Sequence, residues 1–378
     1  MRRNQRVLTI AHNAVAASNR ARSEALKKLP GMEVSLLTPP WWFEEGQRIE
    51  APPSAWWRIG RTLFTGNGTR HVYLSGLPQM MRDTRPDVID LYEEPFSLVA
   101  LQTLALRDLF APRAALVFYS AVSVGRRWRW PYRAIEQVVL RRADGAHAPN
   151  HDAPRVLRSK GFGSDKPVAA IPLGVDVEHF ASAAPMDLRG IPRPRVGFVG
   201  RLEPVKGLDV LVEAFARLSG SVSLVVAGSG SERHRLRGPS VYLRPPVASY
   251  DMPAFLRSLD VLVLPSVTIL PLHREQFGRV LGEAMAAGVP VIGSSSGAIP
   301  EVIGDAGLVV PERDPAALAT AIDAVLNDAV LRQRLIERGA QRARSHFDWS
   351  VIASRTRELF DAALAYRSGV PRLEAVHA

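Results

Sequence analysis

The chain reads as an α/β protein built from two doubly wound parallel sheets, the two facing each other across a cleft. Three observations predict this. Short apolar runs alternate with amphipathic helical stretches over almost the whole length, the signature of a parallel sheet covered on both faces. The alternation restarts after Ile191-Pro192-Arg193-Pro194-Arg195, a stiff polar link. A length of 378 residues is too great for one compact domain and suits two.

The elements follow in order. Residues 6–11 read as a buried strand, 16–29 as a helix stopped by Pro30-Gly31, and 32–38 as a second strand. Residues 39–74 break the alternation with Trp41-Trp42-Phe43, Pro52-Pro53, Trp56-Trp57 and Gly66-Asn67-Gly68, and predict an inserted loop with a hairpin at the Gly-Asn-Gly. Strands follow at 88–92 and 114–119, with helices at 95–110 and 131–142. Asn150 is placed to cap a helix running to Lys160, with Gly161 just past its end. Beyond the link come strands at 196–200, 222–227, 261–264, 289–292 and 308–310. Helices are expected at 208–218 and 278–287, a long helical tail at 315–343, and a last helix at 350–366. The expected domains are 1–185 and 186–348, with 349–378 returning to the first. The ends, 1–5 and 369–378, read as frayed.

Composition narrows the chemistry. Charged residues make up 22% and apolar residues 47%, so the chain has ample core and is not disordered. There is no cysteine, which excludes disulfides, thiolate zinc sites, iron–sulfur clusters and a thiol nucleophile, and fits a cytoplasmic protein. Met1-Arg2-Arg3 and Ala14-Val15-Ala16-Ala17 imitate a signal peptide, but the apolar run between them is too short, and a strand is expected there. The net charge of +11, almost all of it from arginine, favours acidic partners.

Two stretches carry chemistry. The first is Gly200-Arg201-Leu202-Glu203-Pro204-Val205-Lys206-Gly207, a strand-to-helix turn. Backbone N–H groups, a guanidinium and an ammonium converge there, as a diphosphate requires. An ordinary βα loop with two solvated cations would look the same. The second runs from Glu275-Gln276-Phe277-Gly278-Arg279 to Glu283 and on to Gly288-Val289-Pro290-Val291. Gly278 stands where a helix would begin, Glu275 precedes it at the lip of a cleft, and Glu283 lies about a turn and a half inside. The alternative is two solvated glutamates flanking a helix.

Together these stretches resemble the retaining glycosyltransferases of family 4, which have the GT-B fold and use nucleotide sugars. The Arg-x4-Lys-Gly loop, the Glu-x7-Glu motif and the Gly-Val-Pro-Val-Ile-Gly-Ser…Gly-Ala-Ile-Pro-Glu-Val-Ile run occur in that family's order. Leu173-Gly174-Val175-Asp176…Phe180 and Ala143-Asp144-Gly145 are also typical of it. The resemblance implies that Gly200, Arg201 and Lys206 hold the donor diphosphate, that Glu275 faces the transferred sugar, and that Glu283 binds the ribose. It further implies that the backbone N–H groups of Phe277, Gly278 and Arg279 reach sugar hydroxyls and the distal phosphate. Transfer would proceed with retention, without cofactor or metal. No Asp-x-Asp occurs, and the nearest look-alike, Asp176-Val177-Glu178, reads as structural. A nucleotide-sugar epimerase or hydrolase, or a non-catalytic membrane-docked nucleotide-sugar-binding protein, could share the scaffold.

The first domain would bind the acceptor, a saccharide or lipid-linked saccharide, and it departs from the family pattern. A glycine-rich loop after the first strand is replaced by His12-Asn13-Ala14-Val15, and no histidine follows Phe118-Tyr119-Ser120. His12, Asn13, Glu94 and Tyr119 are the candidate acceptor residues. Their structural alternatives are a strand-end histidine and a first-turn carboxylate favoured by the helix dipole. Six of the seven Trp residues lie before residue 135, and Arg126-Arg127-Trp128-Arg129-Trp130 interleaves cations with aromatics. That composition suits packing against the insertion, an anionic membrane surface or, less well, nucleic acid. A cytoplasmic enzyme is the expectation, with a peripheral place on the cytoplasmic membrane face as the alternative to one free of the membrane.

Overall fold

The computed structural model describes residues 4–44, 46–121, 125, 127–270 and 273–369. Arg126 and the residues at the two extreme ends, on which some sequence expectations fall, lie outside them. The chain divides into two compact units: Met1–Ile171 with Trp349–Ala378, and Pro172–Asp348. The divide falls ahead of the expected boundary at 185/186. Residues 172–185 pack with the second unit because Val175, Val177 and Phe180 are buried in its core.

In the first unit the strands are β1 (Gln5–Ile10), β2 (Met32–Thr38), β3 (Trp41–Glu44), β4 (Gln47–Glu50), β5 (Trp57–Ile59), β6 (Thr62–Leu63), β7 (Val72–Tyr73), β8 (Val88–Leu91), β9 (Ala115–Tyr119), β10 (Gly145–Ala148) and β11 (Val168–Ala170). Seven of them form one parallel sheet in the order β11-β10-β9-β8-β1-β2-β5. Alternation along β1 explains why the sheet is buried on both sides. Leu8 and Ile10 enter the cluster of Leu116, Phe118 and Leu104, while Val7 enters that of Leu26, Ile352 and Phe360. The final helix, Trp349–Arg367, supplies Ile352 and Phe360 to this second face.

The insertion holds the expected hairpin, around Gly66-Asn67-Gly68, and a second one that was not expected. The antiparallel pairs are β3 with β4 and β6 with β7, and β5 joins the main sheet as its edge strand. Gly66-Asn67-Gly68 is no tight hairpin turn. It sits in the loop between β6 and β7, where Asn67 Oδ1 accepts from the N–H groups of Thr69 and Arg70. Most of the tryptophans pack. Trp42 is buried, Trp57 lies under Arg20, and Trp128 packs on Phe96, whereas Trp130 is 83% exposed. The helix expected from residue 95 begins at Leu98, where the Ser97 side chain accepts from Ala100 N–H. Asn150 does cap its helix, accepting from Asp152 and Ala153 N–H at 3.1 and 3.0 Å.

The second unit holds β12 (Arg195–Val199), β13 (Ser223–Ala227), β14 (Val241–Arg244), β15 (Val261–Leu264), β16 (Val291–Ser294) and β17 (Leu308–Val310). They form a parallel sheet in the order β14-β13-β12-β15-β16-β17. The long helical tail is two helices, Pro315–Asn327 and Ala329–Arg342. Asp328 breaks it, and its side chain caps the second helix through Leu331 N–H. Asp176 likewise caps Val177–Ser182, so the structural reading of Asp176-Val177-Glu178 holds.

Both sheets run outward in opposite directions from a central pair, β1/β8 in one and β12/β15 in the other. At such a reversal the loops leaving the two strands part and open a crevice beyond their carboxyl ends, where ligands of doubly wound sheets bind. The candidate residues of each unit lie at these two points.

Candidate functional site

In the second unit, β12 ends at Val199, and the chain passes Gly200 and Arg201 into a short turn, Pro204–Lys206, ahead of the helix Leu208–Phe215. The partner strand β15 ends at Leu264 and is followed by Pro265 and Ser266. Lys206 Nζ lies 2.6 Å from Glu275 Oε2, and Ser266 Oγ donates to the same oxygen at 2.8 Å. Glu275 is therefore not a solvated carboxylate at a lip: its residue is only 6% exposed. Burial works to raise its pKa. The Lys206 ammonium, the hydrogen bonds from Lys206 and Ser266, and His273 outweigh that and hold it below the usual value. The backbone of Glu275 is clamped as well, its carbonyl accepting from Ala298 N–H at 2.9 Å.

Arg201 is exposed on the turn and forms no ion pair among the described residues. It acts with Lys206 to depress the pKa of half-buried His273, although burial is the larger cause. Gly278 is the N-cap of the helix Arg279–Ala286, so the backbone from Phe277 to Arg279 forms that helix's start. The Phe277 side chain is buried edge-on against Phe347, which anchors the helix entrance in the core. Glu283 lies on this helix, half-buried. Lys206, Glu275, Ser266 and His273 thus converge. Ser266 and His273 were missed by the sequence reading, which had no signal for them beyond their nearness to a strand end and to Glu275.

In the first unit, His12 follows β1 and opens a 3₁₀ turn, His12–Val15, that includes Asn13. Glu93 follows β8 and is 1% exposed. Its Oε1 accepts from His12 N–H at 2.8 Å, and its Oε2 lies 2.5 Å from His12 Nδ1. His71 Nε2 stands 3.5 Å from Oε1. Burial would raise the Glu93 pKa, but the two imidazoles hold it at about 2. The carboxylate expected from sequence, Glu94, is its neighbour. Glu94 turns away from His12 and accepts from Ser120 Oγ at 2.9 Å and Ala121 N–H at 2.8 Å. It is not a first-turn carboxylate of the helix Leu98–Phe110. Tyr119 stacks on Tyr92 with ring centroids 4.3 Å apart.

Burial pushes the Glu94 pKa up to about 7 against the two hydrogen bonds. A carboxyl whose folded pKa exceeds its unfolded one stays protonated in the native state after the unfolded chain has ionised. Stability is then lost as pH rises from the unfolded value, about 4.5, through about 7. Glu94→Gln is expected to abolish that decline, worth about 1–3 kcal/mol. Urea denaturation of both proteins at pH 5 and pH 8 checks it; parallel pH profiles would reject the assignment.

Among the described residues no helix is long and apolar enough to cross a membrane. The Glycosyl transferases group 1 family matches residues 193–328, the region containing the Lys206–Glu275 pair. The glycogen synthase of Mycobacterium tuberculosis is 30% identical over 326 residues, 78% of this chain and 73% of that protein. The phosphatidyl-myo-inositol mannosyltransferase of Mycobacterium leprae is 37% identical over 232 residues, 58% of this chain, and the match spans 59% of that protein's length. In structure, sucrose-phosphate synthase from Thermosynechococcus elongatus superimposes with a TM-score of 0.71 at 21% identity, covering 96% of this chain and 100% of the other. Anabaena HepE, solved with UDP and glucose, gives 0.68 at 17% identity, covering 95% and 100%. Fold, motif order and relatives agree, and the chain belongs to the Glycosyl transferases group 1 family, enzymes of the GT-B fold.

Proposed function

We propose that this chain transfers a glycosyl group from a nucleotide sugar to a hydroxyl of a saccharide or lipid-linked saccharide, with retention of configuration. The observation that carries the reading is the Lys206–Glu275–Ser266 cluster at the strand-order reversal of the second unit, beside the start of the helix Arg279–Ala286. Arg201, Lys206 and that helix N-terminus supply the positive charge a departing nucleoside diphosphate needs, so no metal ion is required for it. Gly200 allows the diphosphate close to the backbone, Glu275 faces the sugar, the backbone of Phe277, Gly278 and Arg279 reaches its hydroxyls, and Glu283 takes the ribose. The bond from the anomeric carbon to the phosphate oxygen breaks, and the acceptor oxygen bonds to that carbon on the same face. The acceptor proton passes to the leaving phosphate oxygen. His12, Asn13 and Tyr119, at strand ends of the first unit, belong to the acceptor side. Glu94, hydrogen-bonded to Ser120 and Ala121, belongs to the acceptor side with them.

A thermal-shift panel of UDP-, GDP- and ADP-sugars, with and without EDTA, tests the donor, and product analysis with the best one tests transfer and anomeric configuration. Glu275→Ala is expected to lower turnover by about 10²-fold or more while nucleotide affinity changes little. A free epimerised or hydrolysed sugar as sole product, or full activity in Glu275→Ala, would refute the reading.

A further inference from the structure

The structure assigns a second working group, in the first unit: Glu93, backed by His71, holds the His12 ring so that its Nε2 receives the hydrogen bond of an acceptor hydroxyl. This rests on the transfer reading above and adds to it the residues that position the acceptor.

The argument starts from His71. Its ring is buried, and its Nδ1 lies 3.1 Å from the carbonyl oxygen of Asn67, which can only accept, so Nδ1 carries a proton. Its Nε2 is buried, makes no hydrogen bond, and looks at Glu93 Oε1 across 3.5 Å. A lone pair facing a buried carboxylate at that range is unfavourable; a second ring proton turns the contact into an ion pair. The direction of the His71 pKa agrees: burial lowers it, but Glu93 and the Asn67 carbonyl raise it further. Glu93 then has a cation behind it and His12 before it.

Both Glu93 oxygens engage His12, one through the backbone N–H and one through Nδ1. The carboxylate is ionised and accepts only, so Nδ1 is the protonated nitrogen of His12. In the neutral ring the lone pair is then at Nε2, on the far edge. Glu93 is almost wholly buried, whereas a quarter of the His12 side chain is exposed. Trp42 packs against the ring at 4.4 Å between centroids and fixes its plane. Trp42, Asn13, Asn19 and Glu44 also line an adjoining shallow pocket. An aromatic ring beside amide and carboxylate groups suits a polyhydroxylated ligand.

The same three side chains bring their ligand atoms within 4.8 Å of one another, so a metal ion is the competing occupant. The 2.5 Å approach of His12 Nδ1 to Glu93 Oε2 argues against it. Two atoms each about 2.1 Å from a tetrahedral zinc stand well over 3 Å apart. The observed contact is a hydrogen bond.

The test uses the full chain labelled with ¹⁵N-histidine, with the His12 signals identified by loss in His12→Gln. Long-range ¹H–¹⁵N spectra are expected to show His12 protonated at Nδ1, and Glu93→Ala to mix its tautomers. With the nucleotide sugar that binds best and a panel of mono- and oligosaccharides, His12→Ala and Glu93→Ala should lower acceptor kcat/KM by about 10²-fold. Nucleoside-diphosphate affinity by calorimetry should be unchanged, which also shows that the variants fold; Glu93→Gln is the substitute if Glu93→Ala does not. A wild-type His12 protonated at Nε2, unaltered acceptor kinetics, or stoichiometric zinc in the purified protein would each overturn the assignment. If no nucleotide sugar binds, the donor reading fails, and the tautomer measurement still decides the role of Glu93.

Discussion

Replacing Lys206 with methionine is expected to cost about 3–5 kcal/mol of stability near neutral pH, the loss that follows when one partner of a buried ion pair is removed. The Lys206 side chain is 13% exposed and that of Glu275 is 7% exposed, so water cannot take over from the lost ammonium. The sign of the pH dependence follows. In the wild type the Glu275 pKa is held below its unfolded value. Its contribution is therefore present above the unfolded pKa and fades as pH falls through the folded one. In Lys206→Met the same burial acts unopposed by the ammonium, the pKa rises, and the variant regains stability on acidification. Urea denaturation across pH 4 to 8 should show the gap between the two proteins narrowing in acid. Lys206→Met/Glu275→Gln should recover most of the loss. A gap that stays constant with pH, or a double variant no better than the single, would reject the pair as the source. Under the proposed function, Lys206→Met should also weaken nucleoside-diphosphate binding by roughly 1.5–3 kcal/mol.

Gly297→Ala is the second large effect. Gly297 has φ +54°, and a Cβ there would lie 2.1 Å from the Glu275 carbonyl oxygen and 2.9 Å from its carbon. The left-handed backbone alone costs an alanine about 1–2 kcal/mol. The collision is with main chain, so Glu275 itself must move, carrying its carboxylate off Ser266 and Lys206. A stability loss of about 2–4 kcal/mol is expected, with turnover down by about 10²-fold. Gly190→Ala is the control: φ is +80° there too, but nothing lies within 4 Å, so only the backbone penalty applies. Equal melting temperatures for the two variants would mean that the Gly297 contact is not tight.

The main strands and the charged strand-to-helix turn were legible because their signals are local. A buried parallel strand is a short apolar run, and a turn with Gly, Arg and Lys stands out within a few residues as one that suits an anion. β5 and β14 gave no such signal. Trp57–Ile59 is three residues long with an arginine at its centre, and all of Val241–Arg244 is only half-buried. An edge strand needs no continuous apolar run, so neither was expected.

The chain's order of residues was enough to determine the two parallel sheets and the loops that carry charge, since these follow from periodicity and short spacing, and its motifs carried the resemblance to the family. Which charges meet was decided only by folding. Lys206 and Glu275 are 69 positions apart, and His12 and Glu93 are 81 apart, yet each pair closes to hydrogen-bond distance. Glu93 and Glu94 are neighbours of one type, and nothing in the sequence tells them apart. Successive side chains leaving a strand point to opposite sides, and it is the placement of β1 beside β8 that gives Glu93 to His12 and Glu94 to the loop after β9.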